Sequence, residues 1–185
     1  MRANLHPMFD PEPLLALGHE ARRERRLEDA RDLFAQAVAE CRWGADPKLL
    51  ARALKAQGQT ERDLKRIMTA LECYRHAAAI EKGMGDQLSW ADSMRHIADM
   101  RREQKEYTKA EPIYTDVLEV YRSRSDTRVL DHANALRGLA LLKDAAGTPE
   151  EALLMWRAAR CLYEQAGVEA GIDECQSHIA FLLGM

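Results

Sequence analysis

Four copies of one spacing pattern run through the 185 residues. No other feature constrains the fold as strongly. Ala30, Ala70, Ala110 and Ala152 are separated by 40, 40 and 42 residues. Four residues after each comes an aromatic: Phe34, Tyr74, Tyr114 and Trp156. Three further on stands a small or modest side chain: Ala37, Ala77, Val117 and Ala159. Twelve residues before each alanine lies another small residue: Gly18, Gly58, Ala98 and Ala140. Leu17, Gln57, Ile97 and Leu139 precede these directly, and Leu14, Leu54, Met94 and Leu136 lie four residues before them. One matched alanine column would mean little in a chain with 29 alanines, but several columns agreeing in four copies argue against chance.

Spacings of three and four place these residues on one face of a helix. Each copy then reads as two antiparallel helices, A and B. Small residues on both let the backbones approach. The aromatic of helix B fills the wedge between its own pair and the next helix A. One pair cannot bury its face alone, so neighbours must stack. Composition agrees: Val, Ile and Thr together number 17, and Gly (10) and Pro (6) are sparse, which favours helix over sheet. After a tail of residues 1–10, the expected helices cover 11–25, 28–42, 47–64, 67–82, 87–104, 107–123, 127–146 and 149–166. Asp46 is an expected N-cap with Pro47 in the first turn. Thr148-Pro149-Glu150-Glu151 reads as a capping box. After Gly171 a last A-type helix is expected over 172–183, where His178-Ile179-Ala180 repeats His96-Ile97-Ala98 and Asp173, Glu174, Gln176 and Ser177 give it a polar capping side.

Leu14-x-x-Leu17-Gly18 followed by Ala30-x-x-x-Phe34-x-x-Ala37 resembles the tetratricopeptide repeat. The period of 40 to 42 exceeds that family's roughly 34. Ala110-Glu111-Pro112-Ile113-Tyr114 and Asn134-Ala135-Leu136-Arg137-Gly138-Leu139-Ala140-Leu141-Leu142 resemble the longer kinesin light chain type. The resemblance covers residues 11–184 and implies an all-α, right-handed superhelical solenoid. Four antiparallel pairs (about 11–46, 47–86, 87–126 and 127–168) would be followed by the capping helix 172–183. Two family features are missing. Ala21, Glu61, Arg101 and Lys143 stand where an aromatic is usual, and Arg42, Lys82, Arg122 and Glu164 replace the closing proline.

The resemblance also implies a concave groove lined by the A helices. One groove column lies three residues before the small-residue column: Leu15, Lys55, Arg95, Arg137 and Ser177. A second lies four residues after it: Arg22, Arg62, Arg102 and Asp144. A third, one residue after it, holds His19, Gln59, Asp99, Leu141 and Phe181. The candidate ligand-binding residues are Arg22, Lys55, Arg62, Arg95, Arg102, Asn134 and Arg137. Arginine forks suit carboxylates and phosphates, so an acidic peptide or a C-terminal carboxylate is the expected ligand class. The same pattern allows internal ion pairing, because Asp63, Asp92, Asp99 and Glu103 lie nearby and 20 of the 27 basic residues are Arg.

The expected role is therefore a non-catalytic protein-interaction module or scaffold. A net charge of −3 gives no bulk attraction to nucleic acid, and Phe181 is the one aromatic in the groove columns, so a stacking platform for single strands is lacking. The six histidines fall in no hydrolase or metalloprotease motif, and no phosphate-binding glycine loop occurs; no catalytic residue, metal or cofactor is expected. Cys41, Cys73, Cys161 and Cys175 form no C-x-x-C pair and read as side chains in a reducing compartment. Without a leader-like start or a membrane-length apolar run, the expected location is the cytoplasm. The alternative role is a self-associating assembly subunit, a homodimer joined through Leu5, Met8, Phe9 and Leu15 at an exposed N-terminal end.

Overall fold

The structure is a computed structural model that describes residues 10–44 and 46–185. Its regular elements among these residues are all helices: α1 (Glu12–Arg23), α2 (Leu27–Arg42), α3 (Pro47–Asp63), α4 (Ile67–Gly83), α5 (Gln87–Glu103), α6 (Tyr107–Ser123), α7 (Val129–Ala146), α8 (Pro149–Ala166) and α9 (Glu169–Leu183). The odd-numbered helices are the A helices and the even-numbered ones the B helices. The chain divides after Asp86 into two compact units, α1–α4 and α5–α9. No helix of the described residues is long and apolar enough to cross a membrane.

Each unit is built on the expected small and aromatic columns. In the first, Phe34, Ala21, Ala30, Ala37 and Ala53 are wholly buried, and an added Cβ on Gly18 would lie 2.6 Å from the Phe34 ring. Gly58 meets Tyr74 in the same way, at 3.0 Å. In the second unit Tyr114 and Trp156 sit in the wedge between successive A helices. The Tyr114 hydroxyl donates to Asp99 of α5 at 2.6 Å, while its ring lies 2.6 Å from where a Cβ on Gly138 of α7 would stand. Trp156 donates its Nε1–H to Asp144 of α7 at 2.8 Å and stacks on His178 of α9 with centroids 4.1 Å apart.

Three expectations need correction. Leu15 is 2% exposed and belongs to the core of the first unit, so it offers nothing to a second copy; Leu5, Met8 and Phe9 lie outside the described residues. The last helix begins at Glu169, with Gly171 inside it, because the Tyr163 ring packs 2.6 Å from where a Cβ on Gly171 would be. Gly167, at φ 67°, ends α8 instead. The capping box does not form either. The Thr148 hydroxyl donates to the Lys143 carbonyl, and Glu151 reaches the Lys143 ammonium at 2.5 Å. Asp46 does cap α3, accepting from the Lys48 N–H at 3.0 Å.

The A helices of the first three repeats close in the left-handed region without glycine: Arg25, Lys65 and Lys105 have φ of 65°, 64° and 61°. The next residue in each, Arg26, Arg66 or Glu106, donates its N–H five residues back, to Ala21, Glu61 or Arg101. The fourth uses Gly147 at φ 75°.

The column that lacks the family's aromatic carries charged pins. Lys143 of α7 bridges Glu111 of α6 at 2.6 Å and Glu151 of α8 at 2.5 Å, tying one A helix to the B helices on both sides. Arg101 pairs with Glu106. Glu61 is only 3% exposed, and its nearest cation, Arg66, is 3.9 Å away. Burial pushes the Glu61 carboxyl above the ordinary carboxylate range, with Arg66 and Arg31 opposing.

Two outcomes follow from this packing. Gly138→Ala should destabilise the chain by about 1–3 kcal/mol in chemical denaturation, because Tyr114 is pinned by Asp99 and cannot retreat. Glu61 works in the opposite sense. A carboxyl whose folded pKa is raised opposes folding above that pKa and ceases to do so as pH falls below the unfolded value. Glu61→Gln should therefore raise the melting temperature at pH 7, and the gain should vanish at acid pH; an equal gain at both would contradict the burial account.

Candidate functional site

The groove columns lie on the A helices, and the first four positions of the first column each have a partner 26 residues later on helix B. The pairs are Leu15 with Cys41, Lys55 with Glu81, Arg95 with Tyr121 and Arg137 with Tyr163. Leu15 and Cys41 share the core of the first unit. Lys55 lies 3.3 Å from the buried Glu81 carboxylate. The Tyr121 hydroxyl is pushed up by burial and by Asp92, against the opposing charge of Arg95. Tyr163 is pushed up to about 12 by burial, with Arg137 opposing, and donates its hydroxyl to Asn134 Oδ1 at 2.8 Å.

Every candidate binding residue is engaged. In the first unit Arg22 of α1 donates its Nε–H to Asp63 of α3 at 2.7 Å. Lys55 holds Glu81, and Arg62 is half-buried at the last turn of α3 with interactions of its own. In the second unit Arg95 of α5 is gripped by Asp92 at 2.8 Å and Asp99 at 3.1 Å, and its side chain is 11% exposed. Burial works against the Arg95 charge, but Asp99 and Asp92 outweigh it and hold the pKa above the ordinary arginine value. Arg102 lies 3.7 Å from Glu103. Arg137 of α7 makes a two-pronged contact with Glu174 of α9, at 2.5 and 2.6 Å, and that hydrogen bonding raises its pKa despite partial burial. Arg137 is the more reachable of these two, at 38% exposure.

The third column supports the wedges. His19 meets the Phe34 ring edge-on with centroids 5.1 Å apart, Gln59 accepts from Tyr74 at 3.1 Å, and Asp99 accepts from Tyr114. Tyr121 and Tyr163 join the A-helix face without having been singled out from the sequence, and Glu174, expected only on the polar capping side of the last helix, joins them. The 26-residue spacing marks both tyrosines, but nothing local marks Glu174. All four cysteines are unpaired with one another; Cys73 and Cys175 are pushed up to about 11 by burial. Among the described residues no group of three or more His, Cys, Asp or Glu is arranged to hold a metal ion.

A test of this geometry is Arg95→Met. It strands Asp92 and Asp99 in a largely buried setting, and should cost about 3–5 kcal/mol in denaturation. The matching change at Arg31, whose partners Glu28 and Asp32 are both exposed, should cost far less. Equal losses would mean that Arg95 is not held as described.

Residues 90–166 match the tetratricopeptide repeat family. No curated protein sequence matches the chain. Its fold is similar to that of a putative kinesin light chain from Podosopora anserina with nearly identical TPR-like repeats (14% identity, TM-score 0.74, covering 92% of this chain and 84% of that one). It is also similar to aspartyl phosphate phosphatase F from Bacillus subtilis (14% identity, TM-score 0.83, 94% of this chain and 45% of that one). A third is a Rap protein complexed with competence and sporulation factor (15% identity, TM-score 0.77, 91% and 47%). The chain spans under half the length of the last two. With the repeat columns in place and all described elements helical, the chain has an all-α repeat fold that matches the tetratricopeptide repeat over residues 90–166 and is similar in fold to kinesin light chain TPR-like repeats.

Proposed function

We propose that this chain is a non-catalytic interaction module that holds a peptide or protein segment against its A helices. The observation that carries this reading is the ordered polar face of those helices. Asn134, Arg137 and Arg22 are each held in one orientation by a neighbouring helix, through Tyr163, Glu174 and Asp63. Side chains fixed before a ligand arrives lose little entropy on binding it. The Rap structure complexed with competence and sporulation factor supports an interaction role for such a fold.

The basic columns carry their own counter-charges, which shapes the acidic-ligand reading. An acidic segment reaches Arg137 by exchanging with Glu174, at a half-buried pair that is more open than the one holding Arg95. It reaches Arg95 only by displacing two carboxylates from a nearly buried one. Reversing the charge at Arg95 would unfold the site rather than test it, so Arg137 and Asn134 are the informative positions.

The experiment is selection from a random-peptide display library against the full chain, with affinities then measured for Arg137→Gln/Asn134→Ala. Selected peptides should lose at least about tenfold in affinity, the scale of one lost hydrogen bond to a charged group. Recovery of acidic sequences would support exchange at Arg137. Peptides that bind the double variant as well as the parent would sink the A-helix reading.

A further inference from the structure

We propose that the cleft at the α7–α8–α9 end of the second unit takes the guanidinium of an arginine residue from a partner polypeptide, between the Asp144 carboxylate and the Phe181 ring. The open cleft has a volume of about 380 Å³ and is lined by Asp144, Ser177, His178, Phe181 and Leu182. The column that holds Arg22, Arg62 and Arg102 in the other repeats changes sign at Asp144.

Among the described residues the charge of Asp144 is incompletely met. Its Oδ2 accepts from Trp156 Nε1 at 2.8 Å and lies 3.0 Å from His178 Nδ1. Its Oδ1 is shielded from water and has no hydrogen-bond partner among the described residues. The neighbouring cations are committed elsewhere: Lys143 to Glu111 and Glu151, Arg137 to Glu174. A positive group in the cleft would therefore complete an electrostatic balance that the internal pairs leave open.

Phe181 supplies the second contact. It occupies the column in which His19, Gln59 and Asp99 meet a B-helix aromatic, yet it is 81% exposed. An open ring beside a carboxylate suits a flat cation, which stacks on the ring face with its charge held near the acid. Leu182 offers an apolar wall for the methylene stem. The Ser177 hydroxyl donates to the Asp173 carbonyl at 2.8 Å and keeps its lone pairs for a guanidinium N–H. The compact, strongly hydrated ammonium of lysine gains less from the ring, and a phosphate or carboxylate is repelled.

The inference rests on the interaction-module reading only in taking the cation from a polypeptide. A small probe lets either fail alone. The full chain, labelled with ¹⁵N, is titrated with Nα-acetyl-arginine N-methylamide while the Trp156 indole N–H resonance is followed, since that group donates to Asp144. A saturable shift is expected, several-fold weaker with the lysine analogue and absent with the uncharged citrulline analogue. Asp144→Asn keeps an acceptor for Trp156 and should weaken the probe about tenfold or more, as should Phe181→Ala at an exposed position. No saturable shift, equal binding of citrulline, or an undiminished response in Phe181→Ala would overturn the proposal. Failure here with peptides still selected against the A helices would leave the module reading standing.

Discussion

Tyr114 lies with its ring against Gly138 of α7 and its hydroxyl on Asp99 of α5, so one buried side chain fixes the spacing of two neighbouring A helices. Trp156 does the same between α7 and α9 through Asp144 and His178. A ring this large fits between the helices only where the facing residue is glycine or a flat side chain. Its polar tip must also be satisfied, since a buried hydroxyl or indole N–H without a partner costs stability. The wedge therefore dictates both the small-residue columns and the polar partners at Asp99 and Asp144. What the A helices present to a ligand is set by what the wedges leave over.

The charged residues that remain are organised by the same economy of contacts. Pairs run from one A helix to the next, as Arg22 to Asp63 and Arg137 to Glu174, or from A to B, as Lys143 to Glu111 and Glu151. These pairs orient the helices relative to their neighbours within a unit more than they add stability, because the exposed ones are individually weak. A surface whose arginines already have partners is selective. A ligand must offer something better than the resident carboxylate, and it binds where that carboxylate is cheapest to displace. At Asp144 the imbalance has the opposite sign, so the two ends of the α7 face ask for different chemistry.

Much of the fold was legible because the columns repeat. Ala30 to Trp156 fixed the helix pairs, and Asp46-Pro47 marked a true cap. Local signals failed where tertiary contacts outbid them. Glu151 looked like a capping residue, but Lys143 lies in front of it. Gly171 looked like a break, but it is the flat place on which Tyr163 rests. Leu15 was expected at an exposed N-terminal end, yet its repeat places Cys41 where Glu81 or Tyr121 stands in others, and the pair is apolar. The candidate residues could be placed on the A helices from spacing alone. Whether their charges were free could not, because Glu174 and Asp63 belong to other repeats and pair by geometry rather than by motif.

Arg22, Arg95 and Arg137 of the A helices are held by the chain's own carboxylates. Arginine side-chain ¹⁵Nε–¹Hε spectroscopy tests it most directly. The Nε–H of Arg22 and Arg137, each donated to a carboxylate on another helix, should show distinct shifts and slow exchange with water at neutral pH. Arg23 and Arg25 at the exposed α1–α2 turn should exchange rapidly in the same sample. Arg22 and Arg137 resonances that exchange as fast as those of Arg23 and Arg25 would contradict the account and return the arginines to free groove charges.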